Sequence, residues 1–101
     1  MPLVIEKDIE TRLKKRVEDL GGKCIKFNAV SEGGIPDRIV ILPPGQVAFV
    51  ELKRPRGGRL SPIQKYQIEK LRSLGCVVEV VKNYDDIESL LKSMTQRGVM
   101  P

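Results

Sequence analysis

Two carboxylates and one lysine stand where apolar segments of this 101-residue chain begin or end. The segment 46–53 reads Q-V-A-F-V-E-L-K. Because side chains alternate along a strand, Glu51 and Lys53 share one face while Leu52 points the other way. Asp37 begins the preceding apolar segment, D-R-I-V-I-L. Carboxylates bind hard metal ions, and both carboxylates and lysines can move protons, so any catalysis is expected to rest on these residue types.

The turn between the two segments decides whether the carboxylates meet. If 43–45 is a three-residue turn, Leu42 pairs with Gln46. Asp37 then lies opposite Glu51, with Cβ atoms about 4.5–5.5 Å apart. Two opposed carboxylates repel each other unless a cation lies between them, and oxygen ligands suit Mg²⁺ or Mn²⁺. A four-residue turn would shift the register by one residue and separate them.

The backbone carbonyl of Leu52 would point towards the same spot, which makes it the candidate third metal ligand. The competing interpretation is that Asp37, Glu51 and Lys53 are solvated residues at strand ends, with Lys53 paired to Glu51. The occurrence of all three in this order and register favours the metal site.

Composition excludes several kinds of site. Histidine is absent, which removes Ser–His–Asp and Cys–His catalysis and imidazole-bound zinc. Cys24 and Cys76 lie in apolar surroundings and are expected to be free thiols in a reducing compartment, with a disulfide as the alternative. No apolar run approaches the ~20 residues of a membrane span, and no secretory signal is visible. A net charge of +5 and a pI of about 9.4 favour a polyanionic partner.

Apolar spacing and turn residues predict one domain, residues 1–101, with its core at about 6–94. The expected order is αβββαβα. The first three strands form an antiparallel meander in a small mixed sheet, and the fourth returns after a helix to a parallel position. The predicted elements are a helix over 6–20, strands over 23–28, 37–42 and 46–53, a helix over 61–74, a strand over 76–81, a helix capped by Asp85 or Asp86 and ending at about Met94, and a loose tail over 95–101.

Three motifs are similar to those of the VRR-NUC nucleases, a branch of the PD-(D/E)-x-K superfamily. They are G-G-I-P-D at 33–37, V-E-L-K at 50–53 and G-R-L-S-P-I-Q at 58–64. The likeness runs from about Glu6 to Leu91, and it implies an α/β fold with a restriction-endonuclease-like αβββαβ core. The family occurs as stand-alone phage and bacterial proteins, which implies the cytoplasm of a bacterium or of a phage-infected host cell.

The resemblance also implies site roles. Asp37 and Glu51 would bind the metal with the carbonyl of Leu52, and Lys53 would orient or deprotonate the attacking water. Gln64 matches a glutamine of the family near the active site. It shares a helix face with apolar residues, although capping of the helix at Ser61 is the alternative.

The first helix is expected to add an acidic residue to the site. Glu6 and Glu10 lie one turn apart on nearly the same helix face, and the family spacing favours Glu6. The alternative for either residue is a helix N-terminal glutamate stabilised by the dipole.

A cluster of basic side chains follows the candidate site. Arg54, Arg56, Arg59 and Lys65 are expected to hold nucleic-acid phosphates, with a solvated basic loop as the alternative. The leading hypothesis is a Mg²⁺- or Mn²⁺-dependent endonuclease that cleaves structured DNA. The resemblance suggests Holliday junction resolution by a homodimer. The alternatives are a flap or single-strand nuclease, and a non-catalytic basic nucleic-acid-binding module.

Overall fold

Seven elements follow one another in the order αβββαβα that the sequence predicts. The computed structural model describes residues 3–99, and it describes the side chains of residues 3–96. The elements are α1 (Glu6–Asp19), β1 (Lys23–Lys26), β2 (Arg38–Leu42), β3 (Gln46–Leu52), α2 (Pro62–Ser73), β4 (Val77–Val81) and α3 (Tyr84–Val99).

The strands form one mixed sheet in the order β1-β2-β3-β4. β1 to β3 make an antiparallel meander, and β4 lies parallel to β3 after the crossover through α2. Leu42 pairs with Gln46, so 43–45 is the three-residue turn that the site hypothesis requires. The predicted mixed α/β fold is confirmed.

The core lies between one face of the sheet and helices α1 and α3. Ile9, Leu13 and Val17 form the buried stripe of α1, as their spacing predicts. They pack with buried side chains of the strands and of α3, among them Val50 and Met94. This layer fixes β2 and β3 while leaving their other face available to the site.

Helix α2 lies on that other face. Ser61 and Gln64 form the predicted capping box: Ser61 Oγ accepts from the Gln64 N–H at 3.2 Å, and Gln64 Oε1 accepts from the Ser61 N–H at 2.9 Å. Pro62 occupies the first helical position. The start of α2 is therefore fixed by local contacts, and Gln64 links it to β3 through Glu51.

Two expectations about the last helix are wrong. Its cap is Asn83, whose Oδ1 accepts from the Asp86 N–H at 2.7 Å, while the Asp86 carboxylate accepts from the Lys82 N–H at 2.9 Å. The helix also continues to Val99 instead of ending at about Met94, so residues 95–99 are helical and not a loose tail. Residues 100 and 101 lie outside the described part of the chain. None of the helices within 3–99 is long and apolar enough to cross a membrane.

Candidate active site

The two carboxylates of the hypothesis lie at the same end of adjacent strands. The ladder between β2 and β3 ends at Arg38 opposite Val50, and one further step places Asp37 opposite Glu51. The backbone N–H of Phe27 donates to the carbonyl of Asp37 at 2.7 Å, which holds this end of the sheet in place. The register predicted from the turn is therefore confirmed.

Glu51 is a buried carboxylate with two polar neighbours. Its residue is 5% exposed. Its Oε2 accepts from Gln64 Nε2 at 3.1 Å and lies 3.5 Å from Lys53 Nζ. Burial raises the pKa of Glu51, and the negative charge of Asp37 raises it further, while Lys53 opposes both effects. The site therefore holds a carboxylate whose charged form lacks full compensation from the protein.

Gln64 serves both as a helix cap and as a site residue. Its Oε1 is used in the capping box of α2, and its Nε2 is left to donate to Glu51. The two interpretations open at the sequence level are therefore compatible, because a primary amide has separate donor and acceptor ends. A hydrogen bond from the amide also fixes the rotamer of Glu51.

Asp37 offers an oxygen that the described residues leave unused. Its Oδ2 lies 3.0 Å from Arg38 Nη1, whereas its Oδ1 is buried and has no hydrogen-bond partner within residues 3–99. A buried, unpaired carboxylate oxygen beside a second carboxylate is a donor set that fits a hard divalent cation. No group of three His, Cys, Asp or Glu side chains in the described chain could hold a metal ion. A third protein ligand would then be a backbone oxygen, as predicted for Leu52.

Sequence reasoning missed Arg38. This residue is 5% exposed; its Nη2 pairs with the carboxylate of Glu10, and its Nη1 also donates to the Asp37 carbonyl at 3.1 Å. The hydrogen bond from Arg38 lowers the pKa of Glu10. A signal was present, because Arg38 has the same parity along β2 as the buried Val40 and Leu42. An arginine on the core side of a strand needs an acidic partner.

The structure separates the two candidate glutamates of α1. Glu10 is engaged by Arg38 and so reaches the site only through the Arg38–Asp37 contact. Glu6 is exposed at the first position of the helix, yet its charge contributes to the raised pKa of Glu51. The role of Glu6 in the site stays a prediction.

The basic residues after β3 divide into two groups. Arg59 and Lys65 line a groove of about 390 Å³ that also contains Lys53. Arg54 and Arg56 instead line a cavity of about 430 Å³ against the chain at 3–5. A Cβ at Gly58 would lie 2.5 Å from the Arg54 carbonyl, so the tight loop itself requires this glycine.

Comparisons with known proteins agree with the motifs. The family model of the VRR-NUC domain matches residues 4–84. "Putative nuclease p44" of Acyrthosiphon pisum secondary endosymbiont phage 1 is 37% identical over 94 residues, which cover 93% of this chain and 99% of that protein.

Two solved structures share the fold. One, named "VRR_NUC domain", superposes with a TM-score of 0.80 at 33% sequence identity. The superposition covers 86% of this chain and 94% of the chain of that structure. The other, a "VRR_NUC domain protein", superposes with a TM-score of 0.72 at 19% sequence identity. That superposition covers 97% of this chain and 93% of the chain of that structure. The resemblance seen in the three motifs is thus confirmed over most of the chain, which belongs to the VRR-NUC domain family of nucleases.

Proposed function

We propose that this protein is a divalent-metal-dependent endonuclease that hydrolyses phosphodiester bonds in structured DNA. The observation that carries the proposal is the unpaired, buried Oδ1 of Asp37 beside a strand that presents Glu51 and Lys53 on one face. A divalent cation with oxygen ligands satisfies that atom and offsets the repulsion between the two carboxylates. Mg²⁺ and Mn²⁺ are the candidates.

Each site residue has a role in this proposal. Asp37 and Glu51 hold the metal together with the carbonyl of Leu52. When bound, the ion supplies Lewis acidity to the phosphoryl group and lowers the pKa of water. Lys53 orients or deprotonates the attacking water and offsets the negative charge that develops on phosphorus. Gln64 keeps Glu51 in its rotamer.

The preferred substrate in this proposal is a four-way junction, cut by a homodimer. A domain of 11.3 kDa with one site cannot grip a junction and reach two scissile phosphates at once. Two copies related by a two-fold axis match the symmetry of such a junction. The exposed basic residues Arg54, Arg56, Arg59 and Lys65 supply phosphate contacts from both copies.

The test is cleavage of labelled four-way junction, flap and linear duplex DNA with Mn²⁺ and with excess chelator. We expect symmetric cuts in the junction only with metal, and none from Asp37→Asn. Light scattering at the same concentration gives the mass of the active species. Cleavage by Asp37→Asn, or cleavage in chelator, would remove the metal mechanism.

Other outcomes separate the remaining parts of the proposal. A monomer that cuts flaps and spares junctions would make the protein a flap nuclease and leave the metal site standing. Binding without cleavage under every metal condition would make it a non-catalytic binding module.

A further inference from the structure

Lys53 and Lys82 directly follow the ends of two adjacent parallel strands, β3 and β4. The ladder between β3 and β4 ends at Leu52 opposite Val81, and the Lys53 N–H continues it by donating to the Val81 carbonyl at 3.0 Å. Lys82 is the residue that directly follows β4, and neighbouring strands lie about 4.8 Å apart. Two like charges in neighbouring positions repel each other, and Glu51 offsets only that of Lys53.

The groove beside the site collects both lysines. Its volume of about 390 Å³ is lined by four cationic side chains, Lys53, Arg59, Lys65 and Lys82, and no carboxylate lines it. Lys53 is paired with Glu51 at one end of the groove. Within the described residues, none of the other three forms an ion pair with a carboxylate.

The unpaired groove cations are distinguished by their convergence on one surface that no acidic side chain lines. Lys15, Arg16 and Arg72, by contrast, each contact a carboxylate. The backbone of Lys82 is held by the Asp86 carboxylate, which accepts from its N–H in the cap of α3, while its side chain is exposed. A positioned lysine with a charged group left free is suited to a soluble anion.

We infer that Lys82 completes a binding groove for a backbone phosphate next to the scissile one, with Arg59 and Lys65 as the other donors. The inference rests on the proposed function, and it adds a residue and a position to it. Lys53 lies at the boundary between the carboxylates and the groove. Because Lys53 both contacts Glu51 and lines the groove, a strand whose scissile phosphate lies over Glu51 would place a neighbouring phosphate in the groove.

The test measures DNA binding in chelator, where no cleavage interferes, by fluorescence anisotropy at several salt concentrations. For Lys82→Ala we expect about tenfold weaker binding. The log–log salt slope should be smaller by about 0.9 for each phosphate that the variant no longer neutralises, and by about twice that value in a homodimer. Lys92→Ala removes the same charge from an exposed position of α3 and should bind like the wild type. Lys82→Arg should restore the slope.

A second measurement locates the phosphate. A single neutral methylphosphonate is moved along the strand on both sides of the cleavage position. At one neighbouring position it should weaken wild-type binding and have no further effect on Lys82→Ala. Independent effects of the two changes at every position would overturn the inference.

Failure of the inference and failure of the proposed function give different results. If Lys82→Ala binds like Lys92→Ala while the wild type binds and cuts DNA, the groove is wrong and the nuclease stands. If the wild type neither binds DNA in chelator nor cuts it with Mn²⁺, both are wrong.

Discussion

Replacing Glu51 by glutamine should stabilise the metal-free protein and destabilise the metal-bound one. Burial is the main reason that the charged form of Glu51 is disfavoured, since the residue is only 5% exposed, and the negative charge of Asp37 adds to this effect. Lys53, with its Nζ at 3.5 Å, opposes both effects without cancelling them, because the pKa of Glu51 stays raised. Glutamine keeps the shape and can still accept from Gln64.

In chelator we expect Glu51→Gln to be more stable by about 1 kcal/mol, which raises the midpoint of thermal unfolding by about 4–8 °C for a domain of this size. Saturating Mn²⁺ should reverse the order. A ligand at 100 times its Kd stabilises the wild type by about 2.7 kcal/mol. The variant, which lacks one ligand charge, should gain much less. Differential scanning calorimetry with and without metal measures both quantities.

The pH dependence gives an independent check. Burial and Asp37 raise the pKa of Glu51 above its ordinary value of 4.5, so the native protein binds more protons than the unfolded chain between those two values. The free energy of unfolding of the wild type therefore falls as pH rises through this window. The advantage of Glu51→Gln should be present at neutral pH and vanish as pH falls towards 4.5. Glu10, whose pKa is lowered, loses stability at acidic pH in both proteins and cancels in the difference.

Two results would refute this reasoning. If Glu51→Gln is less stable than the wild type in chelator, the contact with Lys53 is a structural ion pair and the carboxylate is not poised for a cation. If Mn²⁺ raises the unfolding temperature of both proteins equally, the metal does not use Glu51.

Three further substitutions test the supporting residues. Lys53→Ala should keep the Mn²⁺-dependent thermal shift but lose about 10²-fold or more in turnover, because the interaction of the lysine with the reacting phosphate strengthens in the transition state. Normal turnover would make Lys53 a structural partner of the Glu51 carboxylate. Arg38→Met should lower the urea-derived free energy of unfolding by about 2 kcal/mol, which is less than for a fully buried pair because both carboxylate partners are partly exposed. Glu10→Gln should cost less, and a change within about 0.5 kcal/mol for Arg38→Met would contradict a stabilising role. Gly34→Ala should cost about 2 kcal/mol in thermal unfolding, because its φ is +82° and its Cβ would lie 2.7 Å from a backbone oxygen of α2. Gly33→Ala, which meets nothing within 4 Å, is its control, and equal losses would contradict the argument.

The face-to-face placement of Asp37 and Glu51 could be predicted because it depends on counting alone. A three-residue turn and strict alternation set the register, and neither depends on distant parts of the chain. The capping box of α2 is equally local, since Ser61, Pro62 and Gln64 lie within four residues. The three-residue turn, the register of β2 and β3, and the capping box appear in the structure as the sequence predicts them.

Features that depend on contacts between distant residues could not be found in the same way. Arg38 contacts Glu10 across 28 positions, and only the packing of α1 on the sheet brings the two together. Asn83 competes with two nearby aspartates for the cap of α3, and local preference alone does not rank them. Lys82 lies 29 positions after Lys53 in the sequence. Only the parallel pairing of β3 and β4 brings the two lysines together, so the basic residues that directly follow β3 gave no indication of Lys82.

The charges around the site leave two complementary deficits. Arg38 compensates one oxygen of Asp37, and Lys53 compensates part of Glu51, so the carboxylate end lacks a positive charge. The groove end has the opposite deficit, because Arg59 and Lys82 have no acidic partner among the described residues. A cation alone offsets only the charge of the carboxylates, and an anion alone offsets only the charge of the groove. A divalent cation and a polyanionic strand, bound together, correct both. Metal binding and DNA binding should therefore be mutually reinforcing, which is the charge arrangement that hydrolysis of a phosphodiester requires.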